Sequence, residues 1–235
     1  MPLPSSFTGL ERGLETAILD FDGVVVESTG IKTEAFRALF ADFPACVDAI
    51  AALHQRHAGV DRYAKFDMIY RDILGLPLSP ETRRALGERF GRLVEERVIA
   101  CPMVVGAGEL LASLEGRVPV AIASATPQAE IERIVAKRGL GRFFAAVRGS
   151  PPDKTGIVRA LLAERGWNPS ATLMIGDAIA DFEAARASGL AFIGRAVPGE
   201  RHPFPDGVAV VDDLTGLAAT LLGDARGTMR ARAIS

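Results

Sequence analysis

The stretch Ala17-Ile18-Leu19-Asp20-Phe21-Asp22-Gly23 limits what this chain can fold into more than any other. Ala17, Ile18 and Leu19 are apolar without alternation, the pattern of a parallel strand buried on both faces. Two carboxylates and a glycine follow where that strand should end. In open α/β sheets, ligands sit outside the carboxyl ends of the strands. Asp20 and Asp22 are two residues apart, so their side chains lean the same way if the backbone is still extended. Gly23 lets the chain turn and lets a ligand approach bare backbone. Close carboxylates repel, so the pair calls for a cation, a shared proton, or both. A hard cation such as Mg2+ prefers oxygen ligands. Phosphoryl transfer suits such a set: one carboxylate attacks, the other handles protons, and a metal offsets charge. Taken alone, the stretch fits an acidic turn after a core strand equally well.

The rest of the chain alternates strands and helices, with one exception. Buried-type strands are expected at 16–21, 118–123, 143–147, 172–175, 190–193 and 208–211. Helices are expected up to about 114 from Gly106, then at 127–138, 154–165, 179–188 and 214–222. Pro127 opens one of these, and Gly139, Gly166 and Gly189 close helices. Such alternation implies a parallel sheet with helices on both faces. Between 31 and 99 no strand pattern is found, only helical stretches at 32–40, 46–57, 63–74 and 80–98. Leu86, Phe90, Leu93 and Val94 form one apolar stripe in the last of them. This block reads as a helical insertion after the first strand. Residues 1–14 read as a loose leader and 223–235 as a polar, basic tail.

Composition narrows the class of function. Across 235 residues, 49% hydrophobic and 24% charged content is that of a soluble chain with a sizeable core. A formal net charge of −2 gives no reason to expect nucleic acid or a membrane surface as partner. No apolar run approaches the ~20 residues of a membrane helix. Cys46 and Cys101 form no disulfide framework, and the first residues lack the apolar centre of a signal peptide. A cytoplasmic location is therefore expected.

Three more groups carry chemistry. Ser124-Ala125-Thr126-Pro127 puts hydroxyls at a strand end before a helix N-terminus, a place suited to an anion. Thr126 is expected to cap the helix and Ser124 to face the site. Lys154 stands at a helix start, where the dipole disfavours a cation unless a strong anion is near; a solvated lysine is the plainer reading. Gly176-Asp177-Ala178-Ile179-Ala180-Asp181 repeats the opening pattern, with Asp181 one helical turn behind Asp177.

In that order, these elements resemble the haloacid dehalogenase-like hydrolases, over roughly 16–29 and 100–212. The resemblance implies an α/β, Rossmann-like parallel sheet core (1–29 and 100–235) plus a small all-helical cap domain (30–99). It implies Asp20 as nucleophile forming an aspartyl-phosphate, and Asp22 as general acid and base. Asp20, Asp177 and Asp22, the last through its backbone carbonyl, would bind Mg2+. Ser124 and Lys154 would hold phosphate oxygens, Lys154 would also pair with Asp20, and Asp181 would support the site. Substrate binding would add Gly23, Ala125, and Arg62 and Lys65 of the cap, whose segment His57 to Lys65 resembles the specificity loop of β-phosphoglucomutase-like relatives. Surface charge is a nearly equal reading of Arg62 and Lys65. His54 and His57 are expected on the cap surface.

Asp22 favours phosphate esters over haloacid or phosphonoacetaldehyde chemistry, because those branches lack an Asp there. Lys32 stands where mutase relatives carry a cap histidine, which speaks against mutase activity. Ala125 and Ala178 replace polar residues common in relatives, and Lys154 follows a Pro-Pro pair where many relatives have Lys-Pro. The expected substrate is a small phosphorylated metabolite, a sugar phosphate or phosphoglycolate, bound by a monomer or homodimer. The alternatives are a phosphosugar mutase and a catalytically weak binding protein on the same fold.

Overall fold

The computed structural model describes residues 13–223 except 198 and 200, so almost all of the expected leader and tail lies outside it. Six strands form one parallel sheet in the order β3-β2-β1-β4-β5-β6. They are β1 (Thr16–Leu19), β2 (Val120–Pro127), β3 (Ala146–Ser150), β4 (Thr172–Gly176), β5 (Ala191–Arg195) and β6 (Ala209–Val211). β1 is central and wholly buried. Its alternate residues feed two cores, which explains an apolar run without alternation. Ile18 packs with Ala121, Met174 and the helices α7 (Lys154–Arg165) and α8 (Ile179–Ser188). Ala17 and Leu19 share the other core with α5 (Ala107–Leu114), α6 (Gln128–Lys137) and α9 (Leu217–Leu221). The strand order reverses at β1, between β2 and β4, the kind of crevice where open α/β sheets bind ligands. Leu19 is in register with Ile122 and Ile175, so Asp20, Ser124 and Asp177 emerge close to one level.

Between β1 and α5 the chain is helical: α1 (Thr29–Leu39), α2 (Val47–Arg56), α3 (Arg62–Met68) and α4 (Pro80–Ala100). Asp61 caps α3 by accepting from the Tyr63 and Ala64 amides, and Ser79 caps α4 by accepting from Thr82. The helix expected at 63–74 changes to π-helical winding over Ile69–Leu74 and ends at the left-handed Gly75. Phe36, Phe66 and Phe90 meet with ring centroids 4.8–6.4 Å apart and form the centre of this helical cap. The two connections to the sheet are tied together. Val104 N donates to Val25 O at 3.1 Å, and Glu27 N to Pro102 O at 3.0 Å.

Several expected boundaries move, among them that of the last helix, which is shortened from 214–222 to Leu217–Leu221. The third strand lies at 146–150, because Gly141–Phe143 turns as a short 3-10 helix instead of extending. β2 stays extended through Pro127, so α6 starts at Gln128 with Pro127 as its N-cap residue and no side-chain cap. Thr126 therefore does not cap that helix. Proline disfavours helical geometry in the residue before it.

Candidate active site

Asp20 leaves the end of β1 with its amide bonded to Ile175 O at 2.9 Å. Its Oδ1 lies 2.9 Å from Lys154 Nζ. Lys154 also approaches Asp181 Oδ1 at 2.8 Å and donates to Ala123 O at 2.8 Å. Two carboxylates explain a cation at a helix start. Burial disfavours the Lys154 charge, but Asp181 and Asp20 outweigh it and raise its pKa. Asp181, fully buried in the first turn of α8, accepts from the Ala178 amide at 3.0 Å.

Asp177 completes the cluster: ligand oxygens of Asp20, Asp177 and Asp181 lie within 4.8 Å of one another. Two glycines make room for it. A Cβ on Gly23 would stand 2.1 Å from Asp177 Oδ2, and one on Gly176 would stand 2.2 Å from Asp181 Cβ. Burial pushes Asp20 up to about 7; Lys154 opposes this, while Asp181 and Asp22 add to it. Burial, then Asp20 and Asp181, raise Asp177 well above the ordinary carboxylate value. Three carboxylates against one lysine leave a negative excess that a divalent, oxygen-seeking cation would offset. The donor set fits such an ion.

Asp22 has other partners. Its Oδ1 accepts from Ser28 Oγ at 2.5 Å, and its Oδ2 from Lys32 Nζ at 2.5 Å and Thr126 Oγ1 at 3.2 Å. Burial would raise this carboxyl; Lys32 and these hydrogen bonds win and lower it. Both Asp20 and Asp22 line one cavity, yet Asp22 stands outside the three-carboxylate cluster. The chain is already turning there, with Val25 and Val26 amides bonded to Phe21 O.

The hydroxyls take places opposite to those expected. Thr126 lines the cavity beside Ala125, whereas Ser124 is fully buried and its Oγ accepts the Thr126 amide at 3.1 Å. On the cap side, Arg62 and Lys65 both line the cavity. The Arg62 guanidinium is engaged by Glu130 of α6 at 2.6 Å and stacks over Phe90 at 4.6 Å. Lys65 Nζ lies 3.0 Å from His54 Nδ1. His54 is buried and stacked on Phe36 at 4.5 Å, not on the surface. It follows Ile50 by one turn on the inward stripe of α2. Gly59, with φ 77°, brings the cap loop onto Ala178 and Ala180 beside Asp177.

Sequence reasoning missed Lys32, Thr126, His54 and Glu130 as site residues. Lys32 had a signal: it precedes the buried Phe36 by one turn, so it stands on the inward face of α1. Glu130 had none, because its partner belongs to the cap.

A family model described as haloacid dehalogenase-like hydrolase matches residues 14–189. Over 180 residues the chain is 29% identical to a phosphoglycolate phosphatase of Synechococcus elongatus, covering 75% of this chain and 81% of that one. The fold is similar to that of CbbY from Rhodobacter sphaeroides in complex with phosphate, at 20% identity and TM-score 0.69, over 88% of this chain and 99% of that one. It is also similar to β-phosphoglucomutase from Clostridium difficile, at 18% identity and TM-score 0.71, over 87% and 93% of the two chains.

Proposed function

The chain belongs to the haloacid dehalogenase-like hydrolases, and from that membership we propose that it is a Mg2+-dependent phosphomonoester hydrolase acting on a small phosphorylated metabolite. The observation that carries this reading is Lys154 Nζ held between Asp20 and Asp181 beside a third carboxylate. Asp20 is the nucleophile: its oxygen forms a bond to phosphorus as the bond to the leaving oxygen breaks. Lys154 steers Asp20 and offsets charge on the transferred group, and Thr126, which lines the cavity where Ser124 does not, offers its hydroxyl to phosphate oxygens. Lys32 and the hydrogen bonds to Asp22 favour its ionised form, so Asp22 would take up a proton as the Lys32 contact is released, pass it to the leaving oxygen, and then take one from the water that hydrolyses the aspartyl-phosphate. Gly23 and Ala125 have no long side chains, so the substrate can come close to backbone. Asp20, Asp177 and the Asp22 carbonyl would hold Mg2+, with Asp181 in support; the ion supplies Lewis-acid charge stabilisation when bound.

Residues 30–99 serve as a cap that moves about the paired connections at 25–27 and 102–104. Closure keeps water from the first transfer. The relative's name supports phosphoglycolate as a substrate, beside sugar phosphates. Lys32 on Asp22 supports hydrolysis over mutase chemistry. Among the described residues no helix is long and apolar enough to cross a membrane, and Cys46 and Cys101 are free, in keeping with a cytoplasmic enzyme.

The test is phosphate release from a panel of phosphorylated metabolites by the full chain, with and without Mg2+, for wild type and Asp20→Asn. Mg2+-dependent release that Asp20→Asn abolishes supports the reading. Release without the metal, or full activity in Asp20→Asn, overturns it.

A further inference from the structure

Three cations line the cavity on its cap side: Lys32, Arg62 and Lys65. Two are neutralised, Lys32 by Asp22 and Arg62 by Glu130. Lys65 makes no ion pair among the described residues. It is 4% exposed, and among the described residues its Nζ meets only His54 Nδ1 at 3.0 Å and the Phe36 ring at 5.8 Å. An ammonium carries three donors, so two remain for a ligand. A buried cation without a counter-ion is costly. In keeping with that, burial and then Lys32 pull Lys65 down to about 7. Burial, Lys65 and Lys32 hold His54 at about 2, so the ring is neutral and its Nδ1 accepts from Lys65.

We propose that Lys65, positioned by His54, determines specificity by binding a carboxylate carried on the alcohol portion of the phosphomonoester. This deepens the phosphomonoester hydrolase reading and rests on it. One uncompensated positive charge matches a monoanionic carboxylate better than a second, dianionic phosphate. The cavity that Lys65 lines also reaches Asp20 and Asp22, so a phosphate at Asp20 and a carboxylate at Lys65 share one space. Phe36 and Phe90 in its wall offer no hydrogen bonds to sugar hydroxyls. His54 has no contact with the reacting groups; it fixes where the ammonium points.

The experiment measures kcat/KM of the full chain with Mg2+ for 2-phosphoglycolate, its amide, ethane-1,2-diol bisphosphate and glucose 6-phosphate. The acid is expected to exceed its neutral amide by about tenfold or more, as a charge-assisted contact requires. Lys65→Met should bring the two substrates within about threefold of each other, and Lys65→Arg should restore part of the gap. His54→Ala should raise KM for the acid more than for the amide, with rescue by His54→Gln, whose side-chain oxygen can accept. Equal use of acid and amide by wild type overturns the proposal, as does preference for the bisphosphate or the sugar phosphate. The wild-type ratio needs no variant, so a misfolded variant leaves the test intact. Hydrolysis without carboxylate preference overturns this inference alone, whereas no hydrolysis of any ester overturns the parent reading with it.

Discussion

Lys32 of α1 reaches Asp22 across the cavity, with Nζ 2.5 Å from Oδ2, and also donates to Thr126 Oγ1 at 3.1 Å. A cap residue thus holds the proposed proton-transfer group and a strand-end hydroxyl together. Lys32→Ala should lower kcat/KM by about tenfold to a few hundredfold, the cost of losing hydrogen bonds to a charged group. Steady-state kinetics on any accepted ester tests this. Unchanged kinetics would mean that the pair does not persist in the working enzyme.

Asp177 has Asp20 and Asp181 as neighbours in a cluster that carries excess negative charge. Asp177→Ala removes one of the three carboxylates that could hold the proposed ion, so the Mg2+ concentration giving half-maximal rate should rise by about tenfold or more. A Mg2+ titration of activity in wild type and variant decides. An unshifted midpoint removes Asp177 from the metal shell.

Local signals made much of the fold legible. Helices α7 and α8 begin and end where the sequence reading puts them, because Gly166 and Gly189 adopt left-handed geometry and stop them. The central strand was readable because both of its faces are buried. β3 was misplaced since apolar Phe143 and Phe144 look strand-like, yet they precede the strand. Asp20, Asp177 and Asp181 were readable from glycine and carboxylate spacing after buried strands. The cap side was not. Lys32 meets Thr126 across 94 residues of sequence, and Arg62 meets Glu130 across 68. No local pattern encodes such pairs, so the arginine expected to face substrate could not be seen to have a carboxylate partner already.

That partnership changes what Arg62→Ala should do. Arg62 and Glu130 are 6% and 9% exposed, so removing either side chain leaves a buried charge without its counter-ion. Loss of one partner from such a pair costs about 3–5 kcal/mol. Thermal or urea unfolding should show both Arg62→Ala and Glu130→Ala strongly destabilised, with the double variant well short of their sum. Additive losses would show that the two side chains are not coupled in solution.

Gly59 tests whether the cap rests on the loop that carries Asp177 during catalysis. A Cβ there would stand 2.9 Å from Ala180 Cβ and 3.0 Å from Ala178 Cβ, at a φ of 77° that favours glycine. Gly59→Val should hold the cap loop off the loop that carries Asp177. The expected result is a KM raised about tenfold or more with a smaller loss of stability, since the loop rather than a core packs there. A KM equal to wild type would show that substrate turnover does not use this contact.

Lys65 should be visible in how stability depends on pH. Burial lowers it from 10.5 in the unfolded chain to about 7 in the folded one, with Lys32 lowering it further and Asp61, Asp22 and Asp177 opposing from a distance. Below about pH 7 the lysine is protonated in both states, and the cost of burying its charge is fully present. Between 7 and 10.5 the unfolded chain keeps a proton that the folded chain has released, so stability from this group rises with pH. Lys65→Met removes the titration. Urea unfolding should therefore find the variant more stable than wild type at about pH 6, with the advantage shrinking by a few kcal/mol toward about pH 9.5. Comparing the two proteins at each pH cancels the titrating groups that Lys65 does not influence, and above about pH 7 its neighbour His54 is largely neutral in the folded and unfolded chain alike. A difference that stays constant across this range would mean that Lys65 keeps an ordinary lysine's proton affinity, with water or an anion already at its ammonium. Excess glycolate, bound as the free leaving acid, should flatten the wild-type dependence, because a carboxylate at Lys65 favours its protonated form.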